Sequence, residues 1–172
     1  MTIEEKKNNP FVIAVSGLKN SGKTRLIIKI ISHLAKTGMK IAFIKHDGHQ
    51  FEPDVQGTDS YQCLEAGAIG TAVFSDACWM MVKKEKIDAE YFVKNFSHAD
   101  LIIIEGLKFS KFPKFEIRRK EIKEEYPICN PNTVLAYISD FSYGDEGEKA
   151  IFHPDDIEGI SKFIIDKMPK RG

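Results

Sequence analysis

The segment Gly17-Leu18-Lys19-Asn20-Ser21-Gly22-Lys23-Thr24 satisfies the spacing G-x-x-x-x-G-K-[ST] in full, and the chemistry of that pattern is the gripping of a polyphosphate. Its glycines let the loop wrap with backbone N–H groups pointing inward, and the helix that follows adds a positive dipole end. Lys23 supplies a point charge to the β- and γ-phosphates, and the Thr24 hydroxyl is a ligand for Mg²⁺. Gly17, Asn20, Ser21 and Gly22 complete the cradle. Lys19 either approaches phosphate from within the loop or is a solvated lysine, and one loop lysine carries little information.

Such a loop needs a carboxylate near Mg²⁺, usually at the carboxyl end of a neighbouring strand. Two residues qualify: Glu105 ends the run LIII, and Asp47 follows KIAFIK. Either can hold the metal through water or orient a water for attack on the γ-phosphate. Asp59 is a third candidate that helix capping explains equally well. His46 and His49, with Asp47 between them, lack the third and fourth ligands of a closed zinc site. Contact with phosphate or substrate, or a structural role, fits them better. No N/T-K-x-D sequence is present to read guanine. Asp140, at the end of the strand starting at Val134, is the candidate at the usual place, either as an acceptor for guanine N1–H and N2–H or as a turn residue. Leu18 stands where a deviant phosphate loop would carry a second lysine, and no arginine-rich helical lid is visible. Arg118 and Arg119 read as surface or loop charges.

The elements around these residues follow from apolar spacing. Residues 11–16 (FVIAVS) form a short buried strand, and residues 22–36 place Leu26, Ile27, Ile30, Ile31 and Leu34 on one helix face. Gly38 stops that helix, and residues 40–45 (KIAFIK) make a second strand, so the opening is β-loop-α-β with parallel strands. Residues 47–58 read as a loop, followed by a short helix capped by Asp59 or Ser60 and running through Ala66. A hairpin is expected from residues 71–74 and 79–82, with Ser75-Asp76-Ala77 at its turn. Its Trp79, Met80 and Met81 read as core rather than as a subunit seam. A helix over 87–96, a buried strand over 101–104 and strands over 115–118 and 134–139 follow. Residues 108–113 make a basic, aromatic loop, and residues 119–132 an exposed one. Asp155 or Asp156 caps a last helix with Ile157, Ile160, Phe163, Ile164 and Met168 on its apolar face. The expectation is an α/β domain of the three-layer P-loop NTPase type over residues 11–170. Its mostly parallel sheet is flanked by helices and carries a β-hairpin insertion, and residues 1–10 form a flexible tail.

The 172 residues include 25 basic and 25 acidic side chains, so the formal net charge is zero and nothing favours a nucleic-acid partner. Cys63, Cys78 and Cys129 are scattered, which fits reduced thiols better than a disulfide framework. No apolar stretch approaches the ~20 residues that span a bilayer, and residues 1–10 lack the apolar core of a signal peptide. A cytoplasmic protein with no membrane partner is expected.

Taken in order, GLKNSGKT, IKHDGH, FEPDVQGTDS, EAGA and LIIIEGLKFSKFPKFEIRR resemble the family of molybdopterin-guanine dinucleotide biosynthesis protein B. The resemblance runs from about Val12 to Arg118 and continues more loosely through VLAYISD and DDIEGISKFI. It implies a GTP-binding homodimer with weak Mg²⁺-dependent GTPase activity, acting as adaptor to the guanylyltransferase that attaches GMP to molybdopterin. The partners so implied are that enzyme and molybdopterin or its guanine dinucleotide. The family's motifs fall on Gly17, Asn20, Ser21, Gly22, Lys23 and Thr24, on Lys45, His46 and His49, on Gly57, Asp59 and Ser60, and on Glu105, Gly106 and Lys108. One departure is Asp47, where many relatives carry Thr. Lys108, with Lys111, reads as a contact to the terminal phosphates or to the cofactor's own phosphate. Hydrolysis is expected to be slow, because no water-orienting glutamine or finger arginine is evident. The rival readings are a P-loop kinase for a small metabolite, with residues 47–59 as acceptor pocket and 108–120 as lid, and a nucleotide-gated interaction module without turnover.

Overall fold

The computed structural model describes residues 9–48, 51–122, 126–141 and 149–169. In chain order the elements are β1 (Phe11–Gly17), α1 (Lys23–Ala35), β2 (Ile41–Lys45), α2 (Asp59–Glu65), β3 (Gly70–Phe74), β4 (Trp79–Lys83), α3 (Ala89–Asn95), β5 (Leu101–Glu105), β6 (Lys114–Arg118), β7 (Val134–Ser139), β8 (Ala150–Phe152) and α4 (Ile157–Lys167). The described residues fall into two compact units. One comprises the residues up to His46 together with those from Ala89 onward, the other Asp47–Asp88.

In the first unit, a six-stranded sheet has the order β2-β5-β1-β6-β7-β8, and every pairing in it is parallel. Parallel strands joined by helical crossovers carry apolar side chains on both faces, which is why β5 reads as an unbroken run of buried residues. One face is set by alternation: Ile13, Val15, Leu101, Ile103, Phe115, Ile117, Ala136 and Ile138 pack against Leu26, Ile27, Ile30 and Leu34 of α1 and Ile160 and Ile164 of α4. The other face carries Ala14, Ala42, Ile44, Ile102 and Ile104 under Ala89 and Val93 of α3 and the neighbouring Phe96. Each fully buried Ile or Leu in these layers stabilises the fold by about 1.5–3 kcal/mol. The expected α/β sandwich with a phosphate loop between β1 and α1 is the observed one.

The remaining polar side chains of β6 depart from expectation. Phe115 and Ile117 face α1 and α4, so Lys114, Glu116 and Arg118 point to the opposite face, and all three are buried. Arg118 is only 2% exposed, which corrects its reading as a surface charge. Its Nε donates to Glu116 Oε1 at 2.9 Å, and its guanidinium lies 3.6 Å from the centre of the Tyr137 ring. Glu116 Oε2 accepts the Cys129 N–H at 3.0 Å. Burial, reinforced by the nearby Glu116 carboxylate, pushes the Cys129 thiol up to about 12, so it stays protonated and unreactive at neutral pH.

The second unit holds the expected hairpin, β3 antiparallel to β4 with Phe74 opposite Trp79. Its short helix is capped not by Asp59 or Ser60 but by Thr58, whose hydroxyl accepts from Tyr61 N. The organising carboxylate here is Asp54, which accepts from Ser60 Oγ at 2.6 Å and from Val55 N at 2.8 Å. The Ser60 hydrogen bond, first among several, holds the Asp54 carboxyl below its ordinary range. Trp79, Met80 and Met81 are 75%, 38% and 57% exposed, so the expectation that they form core is corrected. At α4 the choice between two caps resolves on Asp156, whose Oδ1 accepts from Gly159 N at 2.9 Å. Strand β8 escaped the sequence reading because three residues at a sheet edge carry too little pattern.

Candidate functional site: a phosphate loop at the carboxyl edge of the sheet

β1 ends at Gly17, and α1 begins six residues later, so the intervening loop lies at the carboxyl edge of the parallel sheet. Asn20 (φ 64°) and Gly22 (φ 87°) take left-handed conformations that turn the loop back into the helix. The first intrahelical bond runs from Leu26 N to Gly22 O. The N–H groups of Lys23, Thr24 and Arg25 therefore have no acceptor within the helix. Gly22, as the cap residue, supplies no side-chain acceptor, and no acidic residue stands in the first turn. A helix start left this way favours an anionic ligand. Ser21 Oγ, buried beside Gly17, has no partner among the described residues, which leaves the loop a spare donor.

Three of the side chains singled out from sequence converge here. Thr24 Oγ1 donates to Glu105, with Oε2 at 2.8 Å and Oε1 at 3.0 Å. Lys23 Nζ donates to Leu18 O at 2.7 Å, folding the ammonium across the loop. Burial pulls the Lys23 pKa below the usual lysine range; Glu105 opposes that shift, and Lys108 and Lys45 add to it. Lys45 stands next to Glu105 in the β2–β5 register, and His46 N donates to Glu105 O at 3.0 Å. Gly106 follows with φ 104°, and a Cβ there would lie 3.1 Å from His46 O, so this close approach of two strand ends excludes a side chain. Ser16 Oγ ties the same turn down by donating to Gly106 O at 2.6 Å.

The hydroxyl of Thr24 and the carboxylate of Glu105 form a pair of hard oxygen donors, the kind Mg²⁺ takes alongside water and phosphate oxygens. The residues present fit that ion. Bound there, it would neutralise developing charge on phosphate oxygens.

Of the other residues singled out from sequence, Lys19 and Asn20 are exposed on the loop, and Lys108 is half-buried in the turn after β5. His46 is exposed and enters through its backbone. Asp47 and Asp59 belong to the second unit, where Asp59 opens α2. His49 lies outside the described residues. Asp140 sits at the end of β7, where Oδ1 accepts Lys120 N at 3.0 Å and Oδ2 lies 3.4 Å from Arg119. Arg119 itself was missed. Its Nε donates to Ser21 O in the phosphate loop at 3.0 Å, which corrects its reading as a solvated charge. The signal available was the strand just before it, whose carboxyl end had to open beside the loop.

The family model for molybdopterin guanine dinucleotide synthesis protein B (MobB) matches residues 12–140. The chain belongs to the MobB family. Among curated MobB proteins, the Escherichia coli molybdopterin-guanine dinucleotide biosynthesis adapter protein is 30% identical over 169 residues, covering 93% of this chain and 94% of the relative. The probable adapter protein of Bacillus subtilis is 29% identical over 165 residues, with 92% and 94% covered. The crystal structure of Bacillus subtilis MobB superposes with a TM-score of 0.72 at 26% identity, covering 93% of this chain and 99% of that one. The MobB model spans the phosphate loop, Lys45, Glu105 and Asp140 alike, so the site described above lies wholly inside the region that defines the family.

Proposed function

We propose that the chain is a Mg²⁺-dependent GTP-binding adapter in molybdopterin guanine dinucleotide formation, a cytoplasmic homodimer that hydrolyses GTP slowly and serves the guanylyltransferase. The observation that carries this reading is the Thr24–Glu105 pair beside Lys23 at the start of an uncapped helix, within a MobB fold whose curated relatives are named as adapters. In this reading the loop amides and Lys23 hold the β- and γ-phosphates, and Thr24 and Glu105 hold Mg²⁺. Lys45 and Lys108 flank the terminal phosphate or the pterin's own phosphate. Asp140, positioned by Arg119, faces the guanine side. Slow turnover fits the tying of Arg119 to a main-chain carbonyl and a carboxylate, which holds that guanidinium away from a finger role on the γ-phosphate.

Thermal unfolding with GTP, ATP or GMP, each with and without Mg²⁺, tests it. At ~100 times its dissociation constant a ligand adds about 2.7 kcal/mol, or roughly 5–10 °C for a chain of this size. Mg²⁺ with GTP is expected to give that shift and GMP almost none. A shift with ATP alone would overturn the guanine assignment, and phosphate transfer to a metabolite would promote the kinase reading.

The homodimer reading rests on the exposed apolar side chains of the hairpin, Val73, Phe74, Trp79 and Met81, a patch of the kind that marks protein contacts. Trp79→Asp is expected to convert a dimer to a folded monomer, read by light scattering with circular dichroism as the folding control. A dimer that persists in Trp79→Asp removes the hairpin as its seam.

A further inference from the structure

Lys114 opens β6 with its side chain fully buried, yet its ammonium does not pair with the neighbouring carboxylate of β6, Glu116, which is engaged by Arg118 and the Cys129 N–H. Among the described residues, its hydrogen bonds run to a single turn. Nζ donates to Ser110 O at 2.8 Å, Lys108 O at 3.2 Å, Leu107 O at 3.3 Å and Ser110 Oγ at 3.4 Å. Three converging carbonyls and a hydroxyl are the donor set of a bound K⁺ or NH₄⁺, and without a cation their dipoles repel one another.

The turn needs such a fastening. It starts with two consecutive left-handed residues, Gly106 (φ 104°) and Leu107 (φ 53°), and a non-glycine residue keeps that conformation only where its surroundings over-determine it. Leu107 and Phe112 anchor the turn's apolar side on the sheet, while Leu107 O also receives Ser110 N at 3.0 Å and Ser110 Oγ at 2.9 Å. What the turn carries is functional: it leaves directly from Glu105 and bears Lys108, whose charge acts on Lys23.

We propose that Lys114 is a tethered cation that locks the turn at residues 106–110, and so holds Lys108 and Glu105 at the phosphate-binding mouth. It is a positioning residue, since it acts through the turn. The inference deepens the nucleotide-binding reading and rests on it for the affinity part of its test alone.

The test uses the full chain and Lys114→Met, which keeps length and loses charge. Amide hydrogen exchange over residues 106–110 and Mg²⁺·GTP affinity are measured in choline chloride and in ammonium chloride at equal ionic strength. Lys114→Met is expected to speed exchange at Ser110 and to weaken Mg²⁺·GTP roughly 10-fold, the scale of one lost charge-assisted contact. Ammonium ion should restore both in part while leaving the wild type unchanged, a rescue that a merely structural lysine would not show. In a Lys108→Ala background, Lys114→Met should cost little further affinity, since coupled residues are non-additive. Unchanged exchange in Lys114→Met overturns the proposal, as does a loss that ammonium does not repair and that persists at full size in Lys108→Ala. Should Lys114→Met not fold, Ser110→Ala removes one of the four oxygens and carries the same paired readouts, with unchanged exchange again the contrary result. If the wild type binds no Mg²⁺·GTP, the nucleotide reading falls, and exchange with ammonium rescue still decides whether Lys114 locks the turn.

Discussion

Replacing Arg118 with Met is expected to lower the unfolding free energy by about 3–5 kcal/mol, the cost of leaving a buried charge without its partner. For a chain of this size that is roughly 6–20 °C in the unfolding midpoint, measurable by calorimetry. The physical reason is Glu116. It is fully buried, and Arg118 Nε at 2.9 Å is the cation that compensates it; once the guanidinium is gone, the Cys129 N–H at 3.0 Å and the Cys129 thiol remain, and neither carries a positive charge. Methionine recovers part of the packing on Tyr137 but none of the charge. The double change Glu116→Leu with Arg118→Met should regain much of the loss, because a buried ion pair exchanged whole for apolar side chains is often near neutral. A midpoint shift under about 2 °C for Arg118→Met would mean that water reaches this face of β6 and that the pair is worth no more than a surface bridge.

Lys23→Ala is expected to weaken Mg²⁺·GTP by about 3 kcal/mol, roughly 150-fold, the loss of two hydrogen bonds to charged oxygens. GMP affinity should barely move, since in the proposed reading the ammonium serves the outer phosphates. The free protein should keep its melting point, because Lys23 is only half-buried and its acceptor, Leu18 O, is a loop carbonyl. Isothermal titration gives both numbers. Mg²⁺·GTP affinity within about threefold of wild type would remove Lys23 from the site. The wild type should also lose affinity as the medium becomes alkaline. Burial and the flanking ammonium groups of Lys108 and Lys45 lower the Lys23 pKa in the free protein, whereas bound phosphate raises it. Affinity is therefore full at neutral pH, where the lysine is charged in both states, and falls as pH climbs through the lowered value, where binding takes up a proton. The depressed pKa has the opposite sign for the free fold: it penalises the charged lysine, and that penalty is relieved over the same rise in pH.

How much of this was legible beforehand depended on whether a residue's role was local. FVIAVS, the i, i+3, i+4 face of α1 and the LIII run announce their own burial, and the phosphate loop announces itself by spacing. The place of Glu105 beside Thr24 was legible because it ends the strand adjacent to the one that leads into the loop. β6 was not. Lys114, Glu116 and Arg118 alternate with Phe115 and Ile117, a pattern that ordinarily means one apolar and one solvated face. The polar face is instead covered, with Tyr126 and Cys129 among the residues against it. Nothing in β6 announces a cover supplied from eight or more residues further on. Arg119 eluded sequence reading for the same reason: its partners, Ser21 and Asp140, are 98 and 21 residues away. Thr58 displaced Asp59 as the cap because Asp54, one loop earlier, pins its hydroxyl and that of Ser60 together.

The order of strands also sets a timetable for synthesis. β1 is hydrogen-bonded only to β5 and β6 within the sheet, and Phe11 finds its register partner in Leu101. On a ribosome adding about 5–20 residues per second, FVIAVS and the apolar side of α1 wait several seconds before either neighbour has been translated. The loop between β1 and α1 is thus made well before the strands that wall it, and an apolar strand without its neighbours is open in the interim to pairing with another chain.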